Sequence, residues 1–169
     1  QTESSSEEVI EFPTSKYQDV SRVLLTSSRA KSSHDALSRV CNGAVLEFPS
    51  FKPLVIPCPI LSIQCNLRKI NYSDYKIYEI NDGTTVTLYY YNGSWRMSTT
   101  NGVDETNLNW MGPTCYGDAL LAAAAKYPEF SYDKLDQKIC YTVGFRFKDF
   151  HPLVDNNQAT MWFIAAHDL

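Results

Sequence analysis

The chain has 169 residues, of which 44% are apolar and 20% charged, with 11 Tyr, 8 Phe and 3 Trp; this supports one strand-rich domain and excludes two ordinary ones. A net charge of -4, a pI near 5.3 and the lack of any Lys/Arg cluster exclude charge-driven capture of a phosphate backbone as the main property. No apolar run reaches the roughly 18 residues of a membrane span, and the first residues lack the basic and apolar regions of a signal peptide, so a non-secreted domain off the membrane is expected.

Residues 1–14 are Ser/Glu-rich around a lone apolar patch and are expected to be a disordered or linker tail, with a single domain over 15–169. Tyr17, Val20, Val23 and Leu24 fall at helical spacing from Ser15, and a second helical run is predicted around His34 to Val40. Ala44 to Phe48 and Leu54 to Ile56 read as short strands of a loose hairpin, bounded by Pro49 and Pro53.

Lys76 to Ile80 and Thr84 to Tyr91 are predicted strands flanking Asn81-Asp82-Gly83. The second continues through Asn92-Gly93 into a strand from Ser94 to Thr99. Asp-Gly and Asn-Gly supply the positive φ of tight turns, which predicts an antiparallel meander. Tyr116 to Tyr127 is Ala-rich and predicts a helix stopped by Pro128; strands from Cys140 to Phe147 and Thr160 to Ala166 follow. The whole predicts an α+β domain, an antiparallel sheet with a few flanking helices.

The five cysteines, at 41, 58, 65, 115 and 140, form no C-x-x-C pair, so neither a disulfide framework nor a zinc site is expected, and the thiols are read as reduced and mostly buried. His151 and His167 lack a third ligand and are read as structural; no metal site is expected. Tyr89-Tyr90-Tyr91, Trp95, Trp110 and Phe147 could form a base-stacking platform, but a sheet this aromatic is more often a packed core.

Several short segments carry information through their order: Arg39 to Leu46, Pro57 to Asn66, Tyr78 to Thr84, Trp95 to Gly102, Tyr141 to Phe147, and Trp162 to Asp168. From about Arg39 to Leu169 this series resembles the phage-type ATP-dependent RNA ligases and, more distantly, DNA ligases and capping enzymes. The resemblance implies a nucleotidyltransferase-like fold in which an R-G turn opens the domain and a K-x-D-G lysine takes up the nucleotide. A W-x-x-S-T-x-G strand, a glutamate-bearing strand and an adenine-stacking aromatic segment then follow.

Such chemistry needs an amine to attack the α-phosphate, acids to hold metal, and bases to neutralise charge. The departures fall on those groups. With Asp82-Gly83 on the motif, Ile80 stands where the lysine belongs, and an aliphatic side chain is no nucleophile. Lys76 lies four residues earlier, roughly 13 Å along a strand. Asn42 replaces the arginine of the upstream turn. Ser98-Thr99 keep the S-T pair, but Thr100 stands where the S-T-R-G form has arginine. Arg146 takes the place of the motif glutamate, with Lys148 as the nearest alternative, so a cation stands where an acid would hold metal.

The degenerate nucleotide pocket implied is Asn42, Ile80, Asp82, Gly83, Thr99, Arg146 and Lys148, with no catalytic residue and no cofactor. The later motifs of the family do not occur before Leu169, which leaves a fragment or a shortened fold open. The leading expectation is a catalytically inactive RNA-ligase-like module, cytoplasmic or virion-associated, whose partners are proteins or the remainder of a larger chain. Two alternatives stand beside it: a divergent ligase or capping-type nucleotidyltransferase, and a single-stranded nucleic-acid binder with steep salt dependence.

Overall fold

The computed structural model describes residues 21–26, 40–58, 71, 73, 81–109, 112–147 and 159–169. Two antiparallel sheets and one long helix form an α+β arrangement. Strands β1 (Arg22–Leu25), β2 (Ala44–Glu47) and β3 (Pro53–Val55) make a three-stranded sheet in the order β1-β2-β3. Strands β4 (Thr84–Tyr91), β5 (Ser94–Ser98), β6 (Ile139–Arg146) and β7 (Thr160–Asp168) make a four-stranded sheet in the order β5-β4-β6-β7.

The first predicted helix is corrected to a strand where it can be seen. Arg22-Val23-Leu24-Leu25 pairs in antiparallel register with Glu47-Leu46-Val45-Ala44. The aliphatic run gains ladder hydrogen bonds and contact with the neighbouring core, which outweighs its weak helical periodicity. Of the second predicted helix, Val40 and Cys41 are helical; residues 34–39 lie outside the described residues, as do 15–20 and the predicted strand at 76–80. Pro53 opens β3 at the sheet edge, where its missing N–H removes no inner ladder bond.

The β4-β5 hairpin turns on Asn92 (φ 48) and Gly93 (φ 80), the paired positive φ of the mirror-image turn that matches strand twist. Gly83 is corrected: the segment Asn81-Asp82-Gly83 carries no positive φ. The glycine is required by a close approach described below.

The helix, α1, spans Tyr116–Ala124 and stops short of the predicted Tyr127. Cys115 caps it, its Sγ accepting from the Asp118 amide at 3.4 Å. Its buried positions, Tyr116, Ala119, Leu120, Ala123 and Ala124, recur at helical spacing and face the four-stranded sheet. Each fully buried side chain such as Leu120 contributes about 1.5–3 kcal/mol.

The single core expected divides into two clusters, one on each face of β4 and β6. Val86, Leu88, Val143 and Phe145 face α1, whereas Tyr89 and Cys140 face Val45, Leu54 and Val55 of the small sheet. The alternation of β4 and β6 therefore buries both faces, and the buried hydroxyls of Thr87 and Thr142 satisfy each other at 3.1 Å. Among the described cysteines only Cys140 is buried; Cys41 and Cys115 are intermediate and Cys58 is exposed, all as free thiols, which corrects the mostly buried reading.

Of the tyrosine run only Tyr89 is core, Tyr90 and Tyr91 being half-buried. Tyr89 is wholly buried, and Tyr90 lies edge-on to Trp95, which also meets Tyr132 and Tyr141. Phe147 packs against the helix-side cluster, and Trp110 lies outside the described residues.

Candidate functional site

Antiparallel pairing places the start of β4, the end of β5, the end of β6 and the start of β7 at one end of the four-stranded sheet. Asp82 and Gly83 precede β4, Thr99 and Thr100 follow β5, and Arg146 closes β6. The turn at Asn42-Gly43 joins them. Gly43 has φ 95, and a Cβ built on it would stand 3.2 Å from Thr100 Cα. Segments up to 104 residues apart, from Asn42 to Arg146, thus meet at one rim; Ile80 and Lys148 lie outside the described residues.

Arg146 is committed to this rim. Its Nε donates to the Asp82 carbonyl at 2.8 Å, carrying the β4-β6 pairing one step past Thr84↔Phe145. Its guanidinium also lies 5.9 Å from the Trp162 ring centroid, within cation-π range. The Trp162 indole crosses the backbone of two glycines. A Cβ on Gly144 would overlap Cε2, Cζ2 and Nε1 of the ring, and one on Gly83 would overlap Cη2 and come 2.6 Å from the Phe145 carbonyl oxygen. Absence of a side chain at these two positions is what lets the indole lie flat. Trp162 was not among the site residues expected from sequence; the signal was the pairing of Gly144 with Trp162 across β6 and β7, which only the register reveals.

Thr99 is spent locally, its Oγ1 accepting from the Asn101 amide at 3.1 Å while its amide donates to the Gly102 carbonyl at 3.0 Å. Behind this turn lies a polar network that sequence reasoning missed. Arg22 Nη1 donates to Tyr89 Oη at 2.6 Å, and that hydroxyl donates to the Val103 carbonyl at 2.7 Å. Asp104 accepts from Arg96 Nη1 at 3.0 Å and from Thr106 Oγ1 at 2.7 Å, with Arg22 4.0 Å away. Burial pushes the Tyr89 phenol up to about 12, against the opposing pull of Arg22. Burial, and then the charge of Asp104, push the Glu105 carboxyl above its ordinary value.

Among the described residues no three His, Cys, Asp or Glu side chains converge as metal ligands. His167 pairs with Cys140 across β6 and β7, and its Nδ1 is buried without a hydrogen-bond partner. Among the described residues an open hollow of about 460 Å³ lies elsewhere. It is bordered by Leu121, Tyr127, Phe130 and Tyr132 at the C-terminal end of α1 and includes none of the residues at the rim. The rim itself is a surface of interlocked side chains, Arg146 against Asp82 and Trp162 over Gly83 and Gly144.

The fold is an α+β arrangement in which Asn42, Asp82, Gly83, Thr99 and Arg146 gather at one sheet end, with the Arg146 guanidinium bound to the Asp82 carbonyl. The chain is 27% identical over 173 residues to a protein named "Putative RNA-ligase" from a Kenyan pig isolate of African swine fever virus, covering 89% of this chain and 38% of that protein. Proteins of the same name from the Badajoz strain and from a Malawian tick isolate are 26% and 25% identical, each over 89% of this chain. The chain therefore spans less than two-fifths of the length of these curated relatives, 38–39%. No protein-family model matches it, and no solved structure matches it. An RNA-ligase-like likeness thus extends over most of the chain, and the relatives are viral.

Among the described residues no helix is long and apolar enough to cross a membrane.

Proposed function

We propose that this is a catalytically inactive RNA-ligase-like domain that serves as a binding or structural module. The observation that carries the reading is the Arg146–Asp82 contact at 2.8 Å. The position aligned with the motif glutamate bears a guanidinium that is tied to the backbone of the motif itself, with the Trp162 ring beside it. A cation there opposes metal binding, and one engaged with a carbonyl and an indole is poorly placed to bind phosphate. Ile80 at the lysine position supports the same reading, since no amine stands at that place in the motif.

The partners proposed are proteins or the remainder of a larger chain, in a cytoplasmic or virion-associated setting like that of a viral assembly; the viral origin of the relatives supports this. One observation favours a second reading, a divergent nucleotidyltransferase. The named ligases extend well beyond the matched region, and residues of a longer chain could complete a site. Incubation with radiolabelled ATP or GTP and a divalent metal, followed by denaturing electrophoresis, separates the two. The inactive module leaves the protein unlabelled, and a covalently labelled band establishes the second reading in its place.

A further inference from the structure

The turn between β2 and β3 displays an apolar pair. Phe48 is 47% and Phe51 58% exposed, and their rings meet edge to face, with centroids 5.8 Å apart at 88°. The turn that carries them is braced from within. The Phe51 amide donates to the Glu47 carbonyl at 2.7 Å, the Glu47 amide to the Lys52 carbonyl at 2.8 Å, and Ser50 Oγ to the Glu47 carboxylate at 2.8 Å. Phe51 sits at φ 54, a left-handed conformation costly for a bulky side chain. Burial within the fold does not offset that cost, since most of Phe51 faces water. A matching recess lies on the other side of the molecule. The small sheet packs on one face of β4 and β6 and α1 on the other. The hollow of about 460 Å³ opens at the C-terminal end of α1, walled by Leu121, Tyr127, Phe130 and Tyr132, and Asp133 is the only charged residue that borders it. Leu121 is itself 51% exposed. These walls are also held: the Tyr127 and Thr160 hydroxyls share a hydrogen bond at 3.1 Å, and Phe130 meets Tyr132 edge to face at 5.5 Å.

We infer that the Phe48–Phe51 turn of one copy of this chain docks in the α1 hollow of a second copy, joining the chains head to tail. The inference rests on the reading above of a non-catalytic binding or structural module and names its partner. Chemistry, charge and placement select a second copy as the occupant. The turn offers a preorganised ring pair, the hollow is an apolar recess of the size that accepts small apolar groups, and each covers what the other leaves in water. The exposed Lys52 adjoins Phe51 just as the exposed Asp133 adjoins Tyr132, so the two patches bring opposite charges to their edges. The remaining charges are engaged at home, Glu47 with Ser50 and Lys134 with the Glu129 carbonyl at 3.1 Å. Neither patch therefore carries the excess of one sign that would select a polyion, and copies with a net charge of -4 repel each other least where local charge balances. The turn lies across the large sheet from its own hollow, so the contact joins unlike surfaces. A pair joined this way keeps one turn and one hollow open, and such a contact extends into a chain unless its rotation closes a ring. The contact area is small, a few aromatic side chains on each side, which makes the association weak.

Sedimentation equilibrium of the unaltered chain, carried to millimolar concentration, should give a mass that climbs past that of two chains. Phe48→Ser/Phe51→Asn removes the rings and leaves at position 51 a residue that tolerates a positive φ. Leu121→Arg sets a cation on the exposed wall of the hollow. Each variant should weaken association about tenfold or more. Phe163→Ser, at an exposed position of β7 away from both patches, should change nothing. An equimolar mixture of the turn variant and the hollow variant still holds one intact turn and one intact hollow, so it should reach the mass of two chains and stop there. A single-chain mass for the parent at every concentration, a variant of either patch that associates like the parent, or a mixture that stays monomeric would each overturn the inference. Carbodiimide coupling of the unaltered chain, mixed from normal and heavy-nitrogen copies, decides the matter even if the variants fold poorly. An amide bridge from Lys52 of one copy to Asp133 of the other is expected, and bridges confined to other pairs are decisive against it. Loss of self-association leaves the lack of nucleotide transfer untouched, whereas a nucleotide-labelled band would overturn inactivity without altering the measured mass.

Discussion

The crossing of Trp162 over two glycines can be tested by a double-mutant cycle. The three atoms nearest a Cβ on Gly144 all belong to the Trp162 ring, whereas a Cβ on Gly83 meets both that ring and the Phe145 carbonyl oxygen at 2.6 Å. Overpacking of this kind costs about 1–3 kcal/mol, which for a chain of this length lowers the melting temperature by roughly 2–12 °C. Gly144→Ala and Gly83→Ala should both fall in that range by circular dichroism. In a Trp162→Ala background the clash at Gly144 disappears, so Gly144→Ala should become nearly neutral, with a coupling of about 1–3 kcal/mol. Gly83→Ala should keep much of its cost there, because a backbone oxygen cannot rotate away. Equal and additive penalties at the two glycines, with or without the indole, would refute the geometry.

Three further outcomes follow from the polar network. Asp104→Asn keeps the side-chain shape but removes the charge that Arg96 meets at 3.0 Å and Arg22 at 4.0 Å; a loss of about 1–3 kcal/mol in urea unfolding is expected. Because the folded-state pKa of Tyr89 is raised from 10.0 to about 12, the fold favours the neutral phenol. That stabilisation is complete below pH 10 and declines as pH climbs from 10 through about 12. Burial also raises Tyr116 and Tyr132, so the Tyr89→Phe variant is the control that isolates this share of the decline, followed by phenolate absorbance. Glu105 is raised as well, by burial and then by Asp104, so its charged form opposes folding at neutral pH. Glu105→Gln should melt higher than the parent at pH 7, and the difference should shrink as pH falls toward 4.5 and be gone below it.

Those parts of the fold governed by local chemistry were legible in the sequence. Asn92-Gly93 specifies its turn through backbone conformation alone, the Ala-rich run at Tyr116 specifies a helix, and the β-branched and aromatic residues of β4 and β6 specify strands. Features set by distant neighbours were hidden. Arg22 to Leu25 has spacing compatible with a helix and becomes a strand because Ala44 to Glu47 offers it an edge. Gly83 looked like a turn glycine, whereas its requirement comes from a ring on β7 and a carbonyl on β6. The order of motif segments could not foretell that Arg146 would bind the Asp82 carbonyl or that Tyr89 would link Arg22 to Val103. The positions of Ile80 and Lys148 fall outside the described residues, so their part of the site stands on sequence alone.

The indole at position 162 lies against the start of β4 and the end of β6 and sits beside a charged group, which makes it an optical gauge of that corner of the molecule. Emission from this ring depends on solvent access and on the nearby guanidinium, and the chain has only two other tryptophans to subtract, at 95 and 110. Any molecule that wedges between Gly83 and the ring must lift it off the backbone and shift its spectrum. A panel of nucleotides or oligonucleotides can therefore be screened against the unmodified protein by its own light, without assuming beforehand which of them it holds.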